Sequence, residues 1–263
     1  MDLDNESIWN KIKLHKKILF SDYKIKLEKQ SDNGRRLDIF VNGPSLLDTC
    51  DEVNKIDSDI MVVNSFAESG MAKKYNIKWQ VIADPDYIYE EHEKRKNSVE
   101  EYVKKSNIKL IMPDYLYRKW NNKDFLNQYA IGVNSRSIFY LNIGKYEYKQ
   151  FEKNNLAPRF QNVLVLAIYS GIQLGYKEIY IHGCDFSMIQ QTHMEKGKLY
   201  NNDVHFYNLS GEEVYWDFGY MELLKHIRMA LMALKELKMY AEYENVKIVN
   251  KSKNSYIEHF DFE

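Results

Sequence analysis

A chain of 263 residues, 44% apolar and 29% charged with a formal net charge of −1, can build one large domain or two small ones around a real core. The balanced charge excludes a general nucleic-acid binder, which needs a basic face. Two cysteines, Cys50 and Cys184, with no CxxC spacing exclude a disulfide framework and a cysteine zinc site.

The expected location is cytoplasmic, at most peripheral at the inner face of the membrane. No secretory apolar region opens the chain, and nowhere do ~18 consecutive apolar residues occur to span a bilayer. The 21 tyrosines fit either semi-buried packing or a site for rings and sugars.

Residues 7–30 read as an amphipathic helix, with Ile8, Trp9, Ile12, Ile18 and Leu19 set among Lys11, Lys13, Lys16 and Lys17. "SDNGRR" (31–36) breaks it, because Asn-Gly favours positive-φ turns. The expected division is therefore 1–34, helix and linker, and 35–263, the main domain. Two readings of residues 1–30 stand: packing on the core or on a second subunit, and a basic helix on an anionic membrane surface.

From Leu37 onward, apolar runs recur at 37–41, 59–64, 79–83, 108–112, 137–141, 178–183 and 246–250. Helical patterns lie between several of them. Segment 88–106, including "EEHEKRKN" (90–97), reads as a solvated helix. "NVLVLAIYSGIQLG" (162–175) is apolar almost all round, predicting a buried helix ended by Gly175. About 187–220 is a polar lid, and 220–243 carries Leu224, Ile227, Leu231 and Leu234 on one stripe. Strands alternating with crossover helices predict an α/β fold. It is a single Rossmann-like, mostly parallel, doubly wound sheet with a small lid and an N-terminal helical extension.

In such sheets ligands bind outside the carboxyl ends of the strands. Five polar clusters fall there: Asn42-Gly43-Pro44-Ser45, Asn64-Ser65, Asp84-Pro85-Asp86, Gly183-Cys184-Asp185 and Asn250 to Ser255. In the first, Gly43 would let a ligand approach the backbone, Pro44 suits a first helical turn, and Ser45 would cap the helix. Free amides at that start would face an anion. The stretch is neither a P-loop nor a GxGxxG fingerprint, and a plain turn is the alternative. On this reading Gly43→Val blocks the ligand and leaves the fold intact.

"NGPSL" after the first strand, Asn64 after the second, "LGYKEIYIHGCDF" (174–186) and "NKSKNSYI" (250–257) together resemble the bacterial lipooligosaccharide sialyltransferases. The layout is also similar to polysaccharide-locus transferases and to 6-hydroxymethylpterin diphosphokinase-like proteins. The resemblance covers roughly residues 37–258. It implies a Rossmann-like glycosyltransferase with a flexible lid and no metal cofactor, acting on a nucleotide-sugar donor and a glycan or glycolipid acceptor. Asn42, Gly43, Pro44 and Ser45 would hold the donor's phosphate and sugar, and Asn64 its phosphate or ribose. Asp185, Asn254 and Ser255 would contact the nucleotide. Two departures stand out: Ser187 occupies the place of a tyrosine that assists the leaving phosphate, and Asn162-Val163-Leu164 replaces a Thr-Ser-Gly.

Transfer to a hydroxyl wants a base that titrates near neutrality, which histidine does as a residue type. His205 in the lid and His226 in the helix that follows are the two candidates. His182, within an apolar strand, reads as a satisfied core histidine, and His193 shares the lid without a matching motif. Asp84 and Asp86 are spaced to hold Mg²⁺ or Mn²⁺ on a diphosphate, although contact of Asp84 with acceptor or donor is favoured. Arg159 is either a partner for phosphate or carboxylate or a surface arginine, and Asn162 is a further candidate contact.

The favoured donor is CMP-sialic acid or CMP-Kdo, serving surface polysaccharide or lipooligosaccharide synthesis. A UDP-hexose or UDP-galactofuranose donor, a pterin diphosphokinase-like phosphotransferase using metal at Asp84 and Asp86, and a non-catalytic binding protein are the alternatives.

Overall fold

The computed structural model describes residues 27–29, 34–64, 66, 69–89, 92–137 and 145–263. Eight strands form one parallel sheet: β1 (Arg36–Phe40), β2 (Ser58–Val63), β3 (Ile77–Val81), β4 (Lys109–Pro113), β5 (Ala130–Val133), β6 (Glu178–His182), β10 (Lys247–Asn250) and β11 (Asp261–Phe262). Their order is β11-β10-β6-β1-β2-β3-β4-β5, and every adjacent pair is parallel.

The inner strands are apolar on both faces because both faces are covered. Leu37, Ile39, Met61, Val63, Val81 and Ile111 point to one side, where the buried helix α6 (Val163–Leu174) and the long helix α7 (Tyr220–Tyr243) complete a core. Phe40, Ile60, Val62, Ile77, Leu110 and Met112 point to the other. That side is closed by α1 (Leu46–Val53), α2 (Glu93–Ser106), α3 (Asp114–Lys119) and α4 (Lys123–Tyr129). Helix α5 (Lys145–Glu152) packs beside α7 through Tyr148, Phe151 and Tyr240. Apolar burial on both faces of a parallel sheet is the expected doubly wound α/β architecture.

Helix α6 begins at Asn162, whose Oδ1 accepts the Val165 N–H at 3.1 Å, and stops at Gly175, where φ is +95°. Only glycine takes that conformation without strain. Between β6 and α7 the chain forms a small antiparallel sheet of β7 (Thr192–Glu195), β8 (Lys198–Asn202) and β9 (Glu213–Trp216). Its inner face seats Leu199 on Leu223 and Ile227 of α7. The expected lid is therefore a folded sheet with its own apolar contact.

One buried polar network ties β1 to β6. His182 faces Asp38 through Nε2 at 2.8 Å and Thr49 of α1 through Nδ1 at 2.9 Å, with His182 and Asp38 fully buried. Burial pushes the Asp38 carboxyl up, but hydrogen bonds from His182, Arg36 and Ser58 outweigh it and hold the group below its ordinary value. His182 is the satisfied core histidine expected.

Several expectations need correction. Residues 138–141 of the "SIFYL" run lie outside the described residues, and the strand beside β4 is Ala130–Val133 instead. Segment 88–106 is not solvated throughout: a 3-10 turn spans Pro85–Ile88, and α2 starts at Glu93. Lys96, Val99, Glu100 and Val103 form a buried stripe on α2. Glu100 there accepts Trp120 Nε1–H at 2.7 Å and Asn122 Nδ2–H at 2.6 Å. Residues 1–26 and 30 of the expected N-terminal helix lie outside the described residues. Leu27 is buried in the main core and Lys29 pairs with Glu244 of the domain at 3.9 Å. Among the described residues no helix is long and apolar enough to cross a membrane.

Candidate functional site

The strand order fixes where a crevice opens. From β1 the chain winds outward through β2, β3, β4 and β5, then returns to place β6 on the opposite side of β1. The connections leaving the carboxyl ends of β1 and β6 therefore diverge, at the topological switch point. A cavity of about 300 Å³ lies there.

The turn after β1 is clamped to the turn after β6. Val41 N–H donates to His182 O at 2.8 Å, and Gly43 N–H to Gly183 O at 2.9 Å. A Cβ on Gly43 would sit 2.2 Å from Asp185 Oδ2 and 2.5 Å from Gly183 O. Gly43 is thus required by protein packing, and the expectation that Gly43→Val spares the fold is corrected. Gly183 is equally constrained: its φ is +70°, and a Cβ on it would sit only 2.5 Å from Val41 O.

The anion-cradle reading of this turn also changes. The Ser45 N–H donates to Asp185 Oδ2 at 3.1 Å, while the next three amides bond back to Gly43, Pro44 and Ser45 carbonyls. A carboxylate of the protein already occupies the start of α1, where the helix dipole favours negative charge. The Ser45 side chain makes no capping bond, and its buried Oγ has no hydrogen-bond partner.

Of the expected site residues, Asn42, Gly43, Pro44, Asn64, Asn162, Asp185 and His205 line the cavity. Asn42 Oδ1 and Asn64 Oδ1 are buried and unpartnered. Asn64 is held in the left-handed region, φ +44°, and its carbonyl accepts Gln80 Nε2–H at 2.7 Å. Its neighbour Ser65 lies outside the described residues. Asn162 reaches the cavity while serving as the cap of α6.

His205 is brought in by an anchored loop. Phe206 N–H donates to Asn42 O at 3.0 Å, and the Phe206 ring packs 5.4 Å from Phe66. His205 Nε2 lies 3.0 Å from Asp203 Oδ2. That carboxylate orients the ring through Nε2.

The other expected residues do not line the cavity. Asp84 caps the 3-10 turn through the Asp86 N–H at 3.0 Å and faces Arg95 at 3.5 Å, two strands away from β1. Asp86 lies 3.8 Å from His92. Arg159 is exposed, and His226 pairs with Glu222 on the exposed side of α7 at 3.2 Å. Asn254 and Ser255 belong to the turn supporting the β6 loop: Ser252 Oγ accepts Cys184 N–H at 2.7 Å, and Tyr256 N–H donates to Asp185 O at 3.1 Å.

Ser187, at the place of the family's tyrosine, also lines the cavity, as do Asp203, Phe186, Met188 and Gln191, which were not anticipated as site residues. The carboxylate two residues ahead of His205 in "NNDVHFY" is the signal that identifies Asp203. Cys184 also lines the cavity, and burial pushes its thiol well above the ordinary value, which disfavours the reactive thiolate. No lysine or arginine is among the described lining residues. Among the described residues no cluster of three histidine, cysteine or acidic side chains is arranged to hold a metal ion.

No family model matches the chain, and no curated protein matches it. Among solved structures it is similar to the MAf glycosyltransferase from Magnetospirillum magneticum AMB-1, with TM-score 0.54 and 12% identity over 95% of this chain and 38% of that one. It is also similar to the sialyltransferase CstII from Campylobacter jejuni, solved with the substrate analogue cytidine-5'-monophosphate, at TM-score 0.49 and 17% identity over 88% and 86% of the two chains. A CST-II sialyltransferase structure with a trisaccharide acceptor and CMP gives TM-score 0.49 and 18% identity over 87% and 85%. The Rossmann-like, doubly wound parallel fold implied by the sequence resemblance is the fold of this chain.

Proposed function

We propose that the protein is a glycosyltransferase that takes a sugar from a nucleotide-sugar donor seated at the β1/β6 switch point. The observation that carries this reading is that Asn42 and Asn64, whose buried Oδ1 atoms have no hydrogen-bond partner, line one cavity together with the Asp203–His205 pair. Buried polar atoms without partners are rare in a folded chain, and a ligand supplies what they lack.

In the proposed reaction His205 takes the proton of an acceptor hydroxyl, and the oxygen attacks the donor's anomeric carbon. The bond from that carbon to the phosphate oxygen breaks, its electron pair leaving with the nucleotide. Asp203 holds the imidazole and stabilises the imidazolium that forms. The amides around Ser45 are engaged within the protein, so the Asn42 and Asn64 side chains take the role of donor contact.

A CMP-activated acidic sugar, sialic acid or Kdo, remains the favoured donor, with a hydroxyl of a surface glycan as acceptor. Support comes from the sequence resemblance carried by Asn42 to Ser45, Asn64 and "LGYKEIYIHGCDF" (174–186). The reading assigns no metal to Asp84, whose carboxylate faces Arg95 and which is not among the cavity-lining residues.

The test is a thermal-shift and donor-hydrolysis screen with CMP, UDP and GDP sugars, with and without chelator. Stabilisation by CMP compounds, insensitive to chelator, is expected. No response to any nucleotide contradicts the reading, and magnesium-dependent ATP binding would favour phosphoryl transfer instead.

A further inference from the structure

The antiparallel sheet β7-β8-β9 has two unlike faces. One buries Leu199 on α7. The other carries a row of rings in direct cross-strand register, His193 opposite Tyr200 and Tyr200 opposite Tyr215. The His193 and Tyr200 rings stack at 5.6 Å with an interplanar angle of 17°, and Tyr200 lies 5.7 Å from Tyr215. Tyr215 is 49% exposed. Polar side chains border the row: Glu213 pairs with His193 at 3.4 Å, and Lys198 lies 5.5 Å from the Tyr215 ring centroid. Glu195, opposite Lys198, shares this face.

We infer that this face is a subsite for the glycan chain of the acceptor. Aromatic rings bordered by carboxylates and an ammonium suit a pyranose. Its C–H face rests on the negatively charged π face of the ring, and its hydroxyls donate to carboxylates and accept from lysine. An aliphatic partner surface would meet rings and charges here, and a nucleic-acid backbone would meet Glu195 and Glu213.

Continuity with the cavity decides the occupant. Strand β8 ends at Asn202, and Asp203, Val204 and His205 follow directly as cavity wall. Strand β7 likewise begins one residue after Gln191, another wall residue. Tyr200 lies three residues before Asp203, a span of roughly 10 Å in extended chain. A glycan with its terminal hydroxyl at His205 can therefore extend over the rings.

The inference rests on the transferase reading for the direction of the chain, and the test separates the two. The intact protein is titrated with maltohexaose, chitohexaose and a mannuronic acid hexamer, each against its monosaccharide, by saturation-transfer NMR. CMP binding is followed in parallel by thermal shift. At least one hexamer should bind about tenfold more tightly than its monosaccharide. The Y200A/Y215A variant should lose that advantage while binding CMP as before, and Y200F/Y215F, which keeps the rings, should retain it. The subsite is refuted if no hexamer outperforms its monosaccharide, or if Y200A/Y215A binds as well as the unaltered protein. Conversion of a dimer to a monomer by Y200A/Y215A would refute it too, because the rings would then face a second copy. Loss of CMP binding in the unaltered protein would count against the transferase reading, not against this face.

Discussion

Gly43 shows how a single residue's role depends on what surrounds it. The absent Cβ makes room for Asp185 Oδ2 and Gly183 O. Gly43→Ala is therefore an overpacking change, expected to lower stability by about 1–3 kcal/mol in urea unfolding and to weaken CMP binding as the two turns part. An unchanged unfolding midpoint would contradict the close approach. Asn42→Ala should behave in the opposite way. Its Oδ1 has no protein partner, so stability should hold within about 1 kcal/mol while CMP binding falls, as measured by calorimetry. His205→Ala should lower the transfer rate about 10²–10⁴-fold with donor binding retained. Asp203→Asn should lower kcat by a smaller factor at unchanged donor KM. If His226→Ala proves the damaging change and His205→Ala is silent, the base has been assigned to the wrong histidine.

At the scale of elements, the packing of α5 against α7 carries a pH dependence. Glu236 is pushed up to about 9, first by burial and then by the charge and hydrogen bond of Glu147. A carboxyl raised in the folded state contributes stability that is fully present below its ordinary value of 4.5 and is lost as pH rises through about 9. Unfolding free energy should accordingly decline between those limits, and Glu236→Gln should flatten the decline. Urea unfolding at a series of pH values checks this, and parallel slopes for the two proteins would contradict it. The small sheet offers a second check. Leu199 is 2% exposed against α7, so Leu199→Ala should raise amide exchange across 192–216 before it alters the large sheet.

The elements also show what a sequence discloses. Strands β1, β2, β3, β4, β6 and β10 are buried on both faces, so each leaves a readable apolar run. Strand β5 is four residues, Ala130–Val133, directly after α4 with no turn signal. Strands β7, β8 and β9 are short and mostly polar, because only Leu199 and its neighbours face a core. Helices α6 and α7 were legible to within a residue, one from its all-round apolarity and Gly175, the other from its leucine stripe.

On the scale of the whole molecule, topology assembles the site. The wall comes from the ends of β1, β2 and β6, the start of α6 and the loop at 203–205, segments up to 164 residues apart in the chain if Val41 and His205 are taken as limits. The polar ends of strands were readable one at a time, which is why Asn42, Asn64 and Asp185 could be named in advance. Which ends meet was not readable: Asp84 follows β3, and strand order sets it two strands away from β1. Asn254 and Ser255 follow β10 in a turn whose Ser252 and Tyr256 hydrogen-bond the loop that bears Cys184 and Asp185.

The central claim is that the β1/β6 crevice receives the nucleotide of an activated sugar. A crystal structure of the protein soaked with CMP tests it most directly. The account predicts the nucleotide in the cavity between Asn42 and Asp185, within hydrogen-bond reach of the Asn42 and Asn64 side chains, with His205 at the open end. Nucleotide bound elsewhere, with Asn42 Oδ1 and Asn64 Oδ1 still unpartnered, would contradict it.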